Sequence, residues 1–284
     1  KAMDIMVSEA GRNYYAKAYK GDGSKLDDAF TVSGMTCRGK GAGLSRFPQS
    51  VGRILLNLYT SPGDTVVDPF AGHNSRMELC WRAGRSYIGH DLSHEFMDAN
   101  RKIRDVLLAQ DGENLFNTNN SATITLYEGD SRHMQAADES GDFTITSPPY
   151  WDLEYYGDEP EQLGASSETY ESFIEKLADV VKENFRCLKP GAFCVWCIND
   201  FRKDGKFYSY HEDTATLLRK AGFYQWDIAI TDLGSSFGAA FAGQVIERRI
   251  LPKRHEYCLI FRKPGELKRT RAEKPQSEKL IFES

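Results

Sequence analysis

A chain of 284 residues, 40% hydrophobic and 27% charged, has the length for one large α/β domain and the material for a sizeable core, which excludes global disorder. A net charge of −5 excludes a generally basic coat for nucleic acid. No apolar run approaches the roughly 20 residues that span a membrane, and Lys1 to Asn13 holds no apolar h-region, so no secretory signal is expected.

Lys1 to Arg46 is polar and Gly-rich, with one candidate helix near Ser8 to Tyr19. Phe47 to Leu58 places Val51, Ile54, Leu55 and Leu58 at helical spacing, and the turn Ser61-Pro-Gly-Asp64 stops it. Thr65 to Pro69 reads as a short buried strand, followed by a loop and a helix from Ser75 to Ala83. Ser86 to Asp91 is a second strand, and Ser93 is placed to cap a helix running to about Gln110. A polar loop, Asp111 to Ser121, precedes strands at Ile124 to Tyr127 and Phe143 to Thr146. Trp151 to Ser167 reads as loop. Tyr170 to Leu188 is an amphipathic helix closed by Lys189-Pro-Gly191, and Ala192 to Ile198 is a fifth strand. A helix from His211 to Ala221 closes at Gly222, and two late strands, Tyr224 to Ile230 and Tyr257 to Arg262, have no helix between them. The alternation predicts a Rossmann-like α/β fold: a mostly parallel, doubly wound sheet with an antiparallel strand at one edge.

Among the six cysteines, Cys194 and Cys197 form a C-x-x-C spacing. They lie in an apolar run that reads as a buried strand, with no second Cys/His pair at ligand spacing, so small core side chains are expected there and no metal. Reduced thiols fit a cytoplasmic setting. Charge is uneven. Glu247 to Lys274 holds ten basic against four acidic residues, a net of +6, which leaves −11 for the rest. Such asymmetry suits a protein that meets phosphate on one face, and a basic, flexible tail is expected over 264–284.

In an open α/β sheet, ligands bind at the carboxyl ends of the strands. Three strand ends here carry glycine or acid. The first is Asp68-Pro-Phe-Ala-Gly-His-Asn-Ser75, whose glycine turn lets backbone approach a ligand and whose following helix N-terminus suits an anion. The second is Asp91-Leu92, placed where an acidic side chain takes ribose hydroxyls. The third is Gly129-Asp-Ser131, an acceptor for an adenine amino group.

Asp68-Pro-Phe-Ala-Gly72 resembles the D-P-F-x-G cofactor motif of the amino-methylating DNA methyltransferases, and Ser147-Pro-Pro-Tyr150 resembles their catalytic tetrapeptide. The similarity extends over about Phe47 to Lys263, with Phe47 and its helix resembling a cofactor-holding segment. One departure is His73-Asn74-Ser75, where the family continues Ser-Gly-Thr. Asn tolerates positive φ, so the turn is expected to survive, with His73 near the cofactor's amino-acid end.

The resemblance implies S-adenosylmethionine as cofactor and DNA as substrate, with a homodimer or a partner recognition subunit as options. The implied setting is a bacterial or phage protein associated with the nucleoid when bound, and restriction–modification is one setting for such an enzyme. An exocyclic amine is a weak nucleophile because its lone pair is delocalised into the ring. Ser147 Oγ and the Pro148 carbonyl are the acceptors that would localise that pair. Pro148 and Pro149 have fixed φ and hold the carbonyls rigidly, and Tyr150 would stack on a flipped base. Serine at the first position favours N4 of cytosine. The alternatives are N6-adenine methylation, amine methylation of RNA, and a cofactor-binding regulator without turnover. Trp151, Asp152, Tyr155 and Tyr156 either wall the base pocket or pack on the protein's own helices, and Asn199-Asp200 is a candidate pocket edge. Residues 1–46 read as an N-terminal extension and 47–263 as the catalytic domain. That domain carries small recognition insertions at about 201–210 and 232–254, the latter leading into Arg248, Arg249, Lys253 and Arg254 as the DNA-binding candidates.

Overall fold

The computed structural model describes residues 47–72, 75–113, 121–153, 159–165, 168–232, 247, 249–250 and 255–266. The expected helix at 8–19, the N-terminal extension, the tail beyond residue 266 and most of the 232–254 insertion lie outside them. The chain opens with α1 (Gln49–Tyr59), β1 (Thr65–Asp68), α2 (Ser75–Arg82), β2 (Ser86–Asp91), α3 (His94–Glu113) and β3 (Ile124–Glu128). A single 3-10 turn (Ser131–His133), not foreseen from the sequence, leads to β4 (Gly141–Thr146), α4 (Tyr170–Cys187) and β5 (Leu188–Ile198). A small hairpin of β6 (Phe201–Lys203) and β7 (Lys206–Tyr208) precedes α5 (Tyr210–Ala221), β8 (Tyr224–Asp232) and β9 (His255–Arg262).

The main sheet has seven strands in the order β3-β2-β1-β4-β5-β9-β8. The first five are mutually parallel, and β9 runs antiparallel to both β5 and β8. The expected antiparallel pair is therefore at one edge, but the reversed strand is β9, one place in from it. After β3 the chain crosses to the other side of β1 to form β4. The strand order consequently reverses between β1 and β4, the position at which open α/β sheets leave a crevice for ligands.

Two hydrophobic layers flank the sheet. One gathers Leu55 and Leu56 of α1, Met77 and Leu79 of α2 and the strand residues Val66, Phe143 and Val195. The other gathers Phe173, Leu177 and Val181 of α4, Leu218 of α5, and Trp196, Leu259 and Phe261. Each large side chain removed from water there contributes about 1.5–3 kcal/mol. Among the described residues no helix is long and apolar enough to cross a membrane.

Two expectations change. The buried face of α1 is Gly52, Leu55 and Leu56, while Leu58 is 42% exposed. The predicted stripe was one residue out of phase, because Gly52, with no side chain, marks the side that packs closest to the core. Lys189-Pro-Gly191 does not form a separate turn, since α4 ends at Cys187 and β5 begins at Leu188, pairing with Gly141 of β4. The insertion expected at about 201–210 contains a regular hairpin over 201–208.

The C-x-x-C spacing resolves as core. Residues three apart in a strand point to opposite faces, so Cys194 joins the α4–α5 layer and Cys197 the α1–α2 layer. The two thiols cannot share one ion. Cys197 instead lies 3.5 Å from Cys258 on β9 as a pair of buried free thiols.

Candidate active site

Asp68, at the carboxyl end of β1, is fully buried and takes four hydrogen bonds. Its Oδ1 accepts from the Phe70 amide at 3.1 Å and from Thr146 Oγ1 at 2.6 Å. Its Oδ2 accepts from Arg76 Nε at 2.6 Å and Tyr87 Oη at 2.8 Å. Thr146 is the last residue of β4. The Asp68–Thr146 bond therefore ties the ends of the two strands that flank the crevice, and Asp68 lies under the site as its fastening. Arg76 was not singled out in the sequence, and Thr146 and Tyr87 only as parts of the strands that lead into the motifs. Partners 8, 19 and 78 residues away from one carboxylate leave no local pattern.

Around this fastening the turn takes shape. The Arg76 guanidinium also bonds the Phe70 carbonyl and lies 5.3 Å from the centre of the Phe47 ring, so Phe47 packs on the turn. Phe70 sets its edge on Trp196 across the crevice at 6.0 Å. Ala71 is buried, its amide bonded to the His90 carbonyl at 2.8 Å. Gly72 has φ +50°, where a side chain is disfavoured. Its amide donates to Asp91 Oδ2 at 2.7 Å, and its carbonyl accepts from Asn100 Nδ2 at 2.8 Å. His73 and Asn74 lie outside the described residues, as does the side chain of Ser75, which opens α2.

Asp91 ends β2 directly beside the turn. Its Oδ1 accepts from the Ser93 amide at 3.0 Å, so each oxygen holds one backbone bond and keeps further acceptor capacity. Burial pushes this carboxyl up to about 6, against the pull of the Ser93 and Gly72 amides. Leu92 is half-buried next to it. At the end of β3, Gly129 donates its amide to the Asp91 carbonyl at 2.9 Å, and Ser131 Oγ donates to the Pro69 carbonyl at 2.5 Å. The three predicted cofactor segments are thus hydrogen-bonded to one another. Asp130 stands apart. Its carboxylate accepts from the Arg132 amide and pairs with the Arg132 guanidinium at 2.6 Å. Burial works to raise that carboxyl, but the Arg132 hydrogen bonds outweigh it and hold it low.

The tetrapeptide leaves β4 with Ser147 half-buried, Pro148 and Pro149 buried, and Tyr150 half-buried. Tyr210, fully buried at the start of α5, donates its hydroxyl to the Pro149 carbonyl at 3.1 Å. Its ring meets that of Tyr150 at 5.9 Å, and Phe201 meets Tyr150 edge-on at 6.3 Å. Tyr210 was missed. An aromatic residue opening a helix was the available signal, but only the fold shows it reaching a loop 61 residues earlier.

Trp151 packs within the protein. It donates Nε1 to the Glu168 carbonyl at 2.7 Å and lies against Tyr170 and Tyr208. Asp152 pairs with Lys203 of the hairpin, while Tyr155 and Tyr156 fall outside the described residues. Asn199, after β5, donates Nδ2 to the His255 carbonyl at 2.7 Å, and its Oδ1 is buried without a partner among the described residues. Asp200 is committed to α5, accepting from the His211 amide at 3.1 Å and its ring Nδ1 at 2.6 Å. Of the four basic candidates, Arg249 is exposed, and Arg248, Lys253 and Arg254 lie outside the described residues.

Comparison with known proteins bears on this arrangement. Residues 11–102 match the DNA methylase family of the N6/N4 type. The chain is 40% identical over 52 residues to the type II methyltransferase M.MthZI of Methanothermobacter thermautotrophicus, a match covering 18% of this chain and 15% of that one. It is 36% identical over 58 residues to the type II methyltransferase M.Cfr9I of Citrobacter freundii, covering 20% and 19%. The matched stretch thus spans less than a fifth of either relative. Among solved structures, the fold resembles a protein from Galdieria sulphuraria assigned provisionally as a sarcosine dimethylglycine methyltransferase, with a TM-score of 0.50 and 12% identity over 77% of this chain and 86% of that one.

Proposed function

From the match of residues 11–102 to the DNA methylase family of the N6/N4 type we propose that this chain is an amino-methylating DNA methyltransferase, which transfers a methyl group from S-adenosylmethionine to an exocyclic amine of a DNA base, N4 of cytosine in the first instance. One observation carries the reading. The Asp68–Thr146 hydrogen bond of 2.6 Å holds the cofactor-type turn and the Ser147-Pro-Pro-Tyr150 tetrapeptide side by side at the point where strand order reverses.

The donors and acceptors present fit the cofactor. Asp91 offers two carboxylate oxygens, each with remaining acceptor capacity, which suits a pair of ribose hydroxyls. Phe47 and the Gly72 turn form the neighbouring wall. When bound, the cofactor supplies an electrophilic methyl group. The chain's own residues do the rest by position and orientation. Ser147 Oγ, which makes no hydrogen bond among the described residues, takes one amino hydrogen, and the Pro148 carbonyl takes the other. Tyr150 stacks on the extruded base. Serine at position 147 favours cytosine.

Nucleoside mass spectrometry of mixed genomic DNA incubated with S-adenosylmethionine tests the reading. A gain of N4-methylcytosine is expected. N6-methyladenine would keep the mechanism and change the base, and no new nucleoside would reject the reaction.

The Asp91 carboxyl, raised to about 6, accepts hydroxyls fully only when ionised. Cofactor affinity is therefore expected to be full above pH ~7 and to fall by up to about tenfold per pH unit below about 6. Asp91→Asn is expected to bind weakly at every pH and to flatten the profile. Calorimetric titration across that range would read it, and a wild-type profile flat down to pH ~5 would count against the role. Stability moves the other way. A carboxyl raised in the folded state favours folding when protonated, so its contribution is lost as pH climbs through about 6.

A further inference from the structure

The β6–β7 hairpin has two unlike faces, and the proposed reaction uses neither. Its two-residue turn is Asp204-Gly205, with φ of +50° and +79°, which joins Lys203 directly opposite Lys206. Both turn residues at positive φ match the twist of the flanking strands and make a stiff hairpin. Paired residues share a face, so Phe201 and Tyr208 lie together, as do Arg202 and Phe207.

The inner face is fastened to the catalytic loop. The Phe201 ring meets Tyr150, Tyr208 meets Trp151 at 5.3 Å, and Lys203 lies 4.7 Å above the Trp151 ring while pairing with Asp152. The outer face points to solvent. Phe207 is 40% exposed, with the exposed Arg202 guanidinium 5.0 Å from its ring centre, while Lys206, at the hairpin tip beside the turn, shares the other face with Lys203, its exposed side chain placing Nζ 4.8 Å from the Tyr208 ring centre. In a chain of net charge −5, these eight residues carry three basic groups against one acid, a local +2. An exposed aromatic ring flanked by unburied cations, on a rigid arm braced against the tetrapeptide, is matched to a polyanion with stacked bases.

We infer that the outer face and the tip of this hairpin form a contact surface for duplex DNA, with Arg202 of the outer face and Lys206 of the tip on backbone phosphates and Phe207 entering the stack beside the extruded base. The inference rests on the proposed reaction and adds the surface that orients the duplex. Extrusion leaves a gap in the stack, and an aromatic wedge fills such a gap at low cost in side-chain freedom. The inner-face contacts tie the position of that wedge to the position of Tyr150.

The test uses the full chain with Arg202→Gln/Lys206→Gln and with Phe207→Ala, all exposed sites whose thermal unfolding is checked first. Binding of a short mixed-sequence duplex is followed by anisotropy across salt concentrations, alongside methyl transfer to genomic DNA. The double variant is expected to bind roughly tenfold more weakly and to lose about 2 from the slope of log affinity against log salt. Phe207→Ala is expected to keep that slope and to lose about tenfold in kcat/KM for DNA. If the wild type methylates DNA and both variants match it in slope and rate, the surface is wrong and the reaction stands. A wild type that transfers nothing to DNA, with duplex binding still lost in the double variant, keeps the surface and overturns the reaction. Tighter binding of single-stranded RNA than of duplex DNA would overturn the choice of partner.

Discussion

Replacing Ser147 by Ala is expected to lower kcat by about 10²- to 10³-fold while leaving cofactor affinity and thermal stability near wild type. The magnitude is that of removing one preorganised polar group aimed at charge developing in a transition state. The amine becomes nucleophilic only if its lone pair is drawn out of conjugation, and two acceptors are needed to hold its two hydrogens. The Pro148 carbonyl is held by backbone alone, between prolines that cannot rotate about φ. Ser147 is the acceptor that mutation can remove cleanly, because it is half-buried and makes no hydrogen bond to the described residues that its loss would orphan. Single-turnover methyl transfer reads the chemical step directly. A Ser147→Ala protein with a wild-type single-turnover rate would remove Ser147 from the mechanism. Tyr150→Ala serves as the companion. Loss of one stacking platform is worth about 1–3 kcal/mol, so its penalty is expected to be smaller than that of Ser147→Ala and concentrated in DNA binding.

The second large effect is on the fold. Asp68→Asn is expected to cost about 3–5 kcal/mol of stability, the range for breaking a buried ion pair by removing one partner. Asp68 and Arg76 have side chains 0% and 7% exposed, and their 2.6 Å contact leaves no room for water to replace the lost charge. The Asn amide would also present hydrogens to Tyr87 Oη, which now donates to Asp68 Oδ2. For a domain of this size the melting temperature would fall by roughly 10 °C. The double variant Asp68→Asn/Arg76→Met is expected to recover part of that, because the stranded guanidinium is gone. An Asp68→Asn protein that melts with the wild type would show that the fastening contributes nothing.

These two expectations separate what the motifs do. Asp68 and Ser147 were singled out for the same reason, membership of a recognisable tetrapeptide or pentapeptide. Their surroundings differ. Ser147 is half-buried and makes no hydrogen bond to the described residues, whereas Asp68 has every acceptor position engaged by Phe70, Thr146, Arg76 and Tyr87. Asp130 shows a similar shift. It lies at the predicted strand end, but Arg132 holds its carboxylate, leaving Ser131, bonded to Pro69, as the residue of that segment that joins the turn.

Much of this protein is determined by local sequence. Strand and helix alternation follows from side-chain periodicity, and β2 runs over the predicted Ser86–Asp91, a short stretch with strand formers Tyr87 and Ile88 that opens just after the helix-ending Gly84. The motifs are also local, since Asp68-Pro-Phe-Ala-Gly72 and Ser147-Pro-Pro-Tyr150 depend on backbone restrictions that proline and glycine impose on their own neighbours. Only the tertiary structure decided which of these residues touch. Whether β9 or β8 is reversed, which side of α1 is buried, and that Tyr210 reaches Pro149 all depend on pairings between segments distant in the chain. Such pairings are set by the packing of the whole core, and no window of sequence contains both partners. The hairpin at 201–208 makes the same point. Its Asp-Gly turn is a local signal, but the reason it matters, Phe201 and Lys203 seated on Tyr150 and Trp151, exists only once β4 and β5 lie side by side.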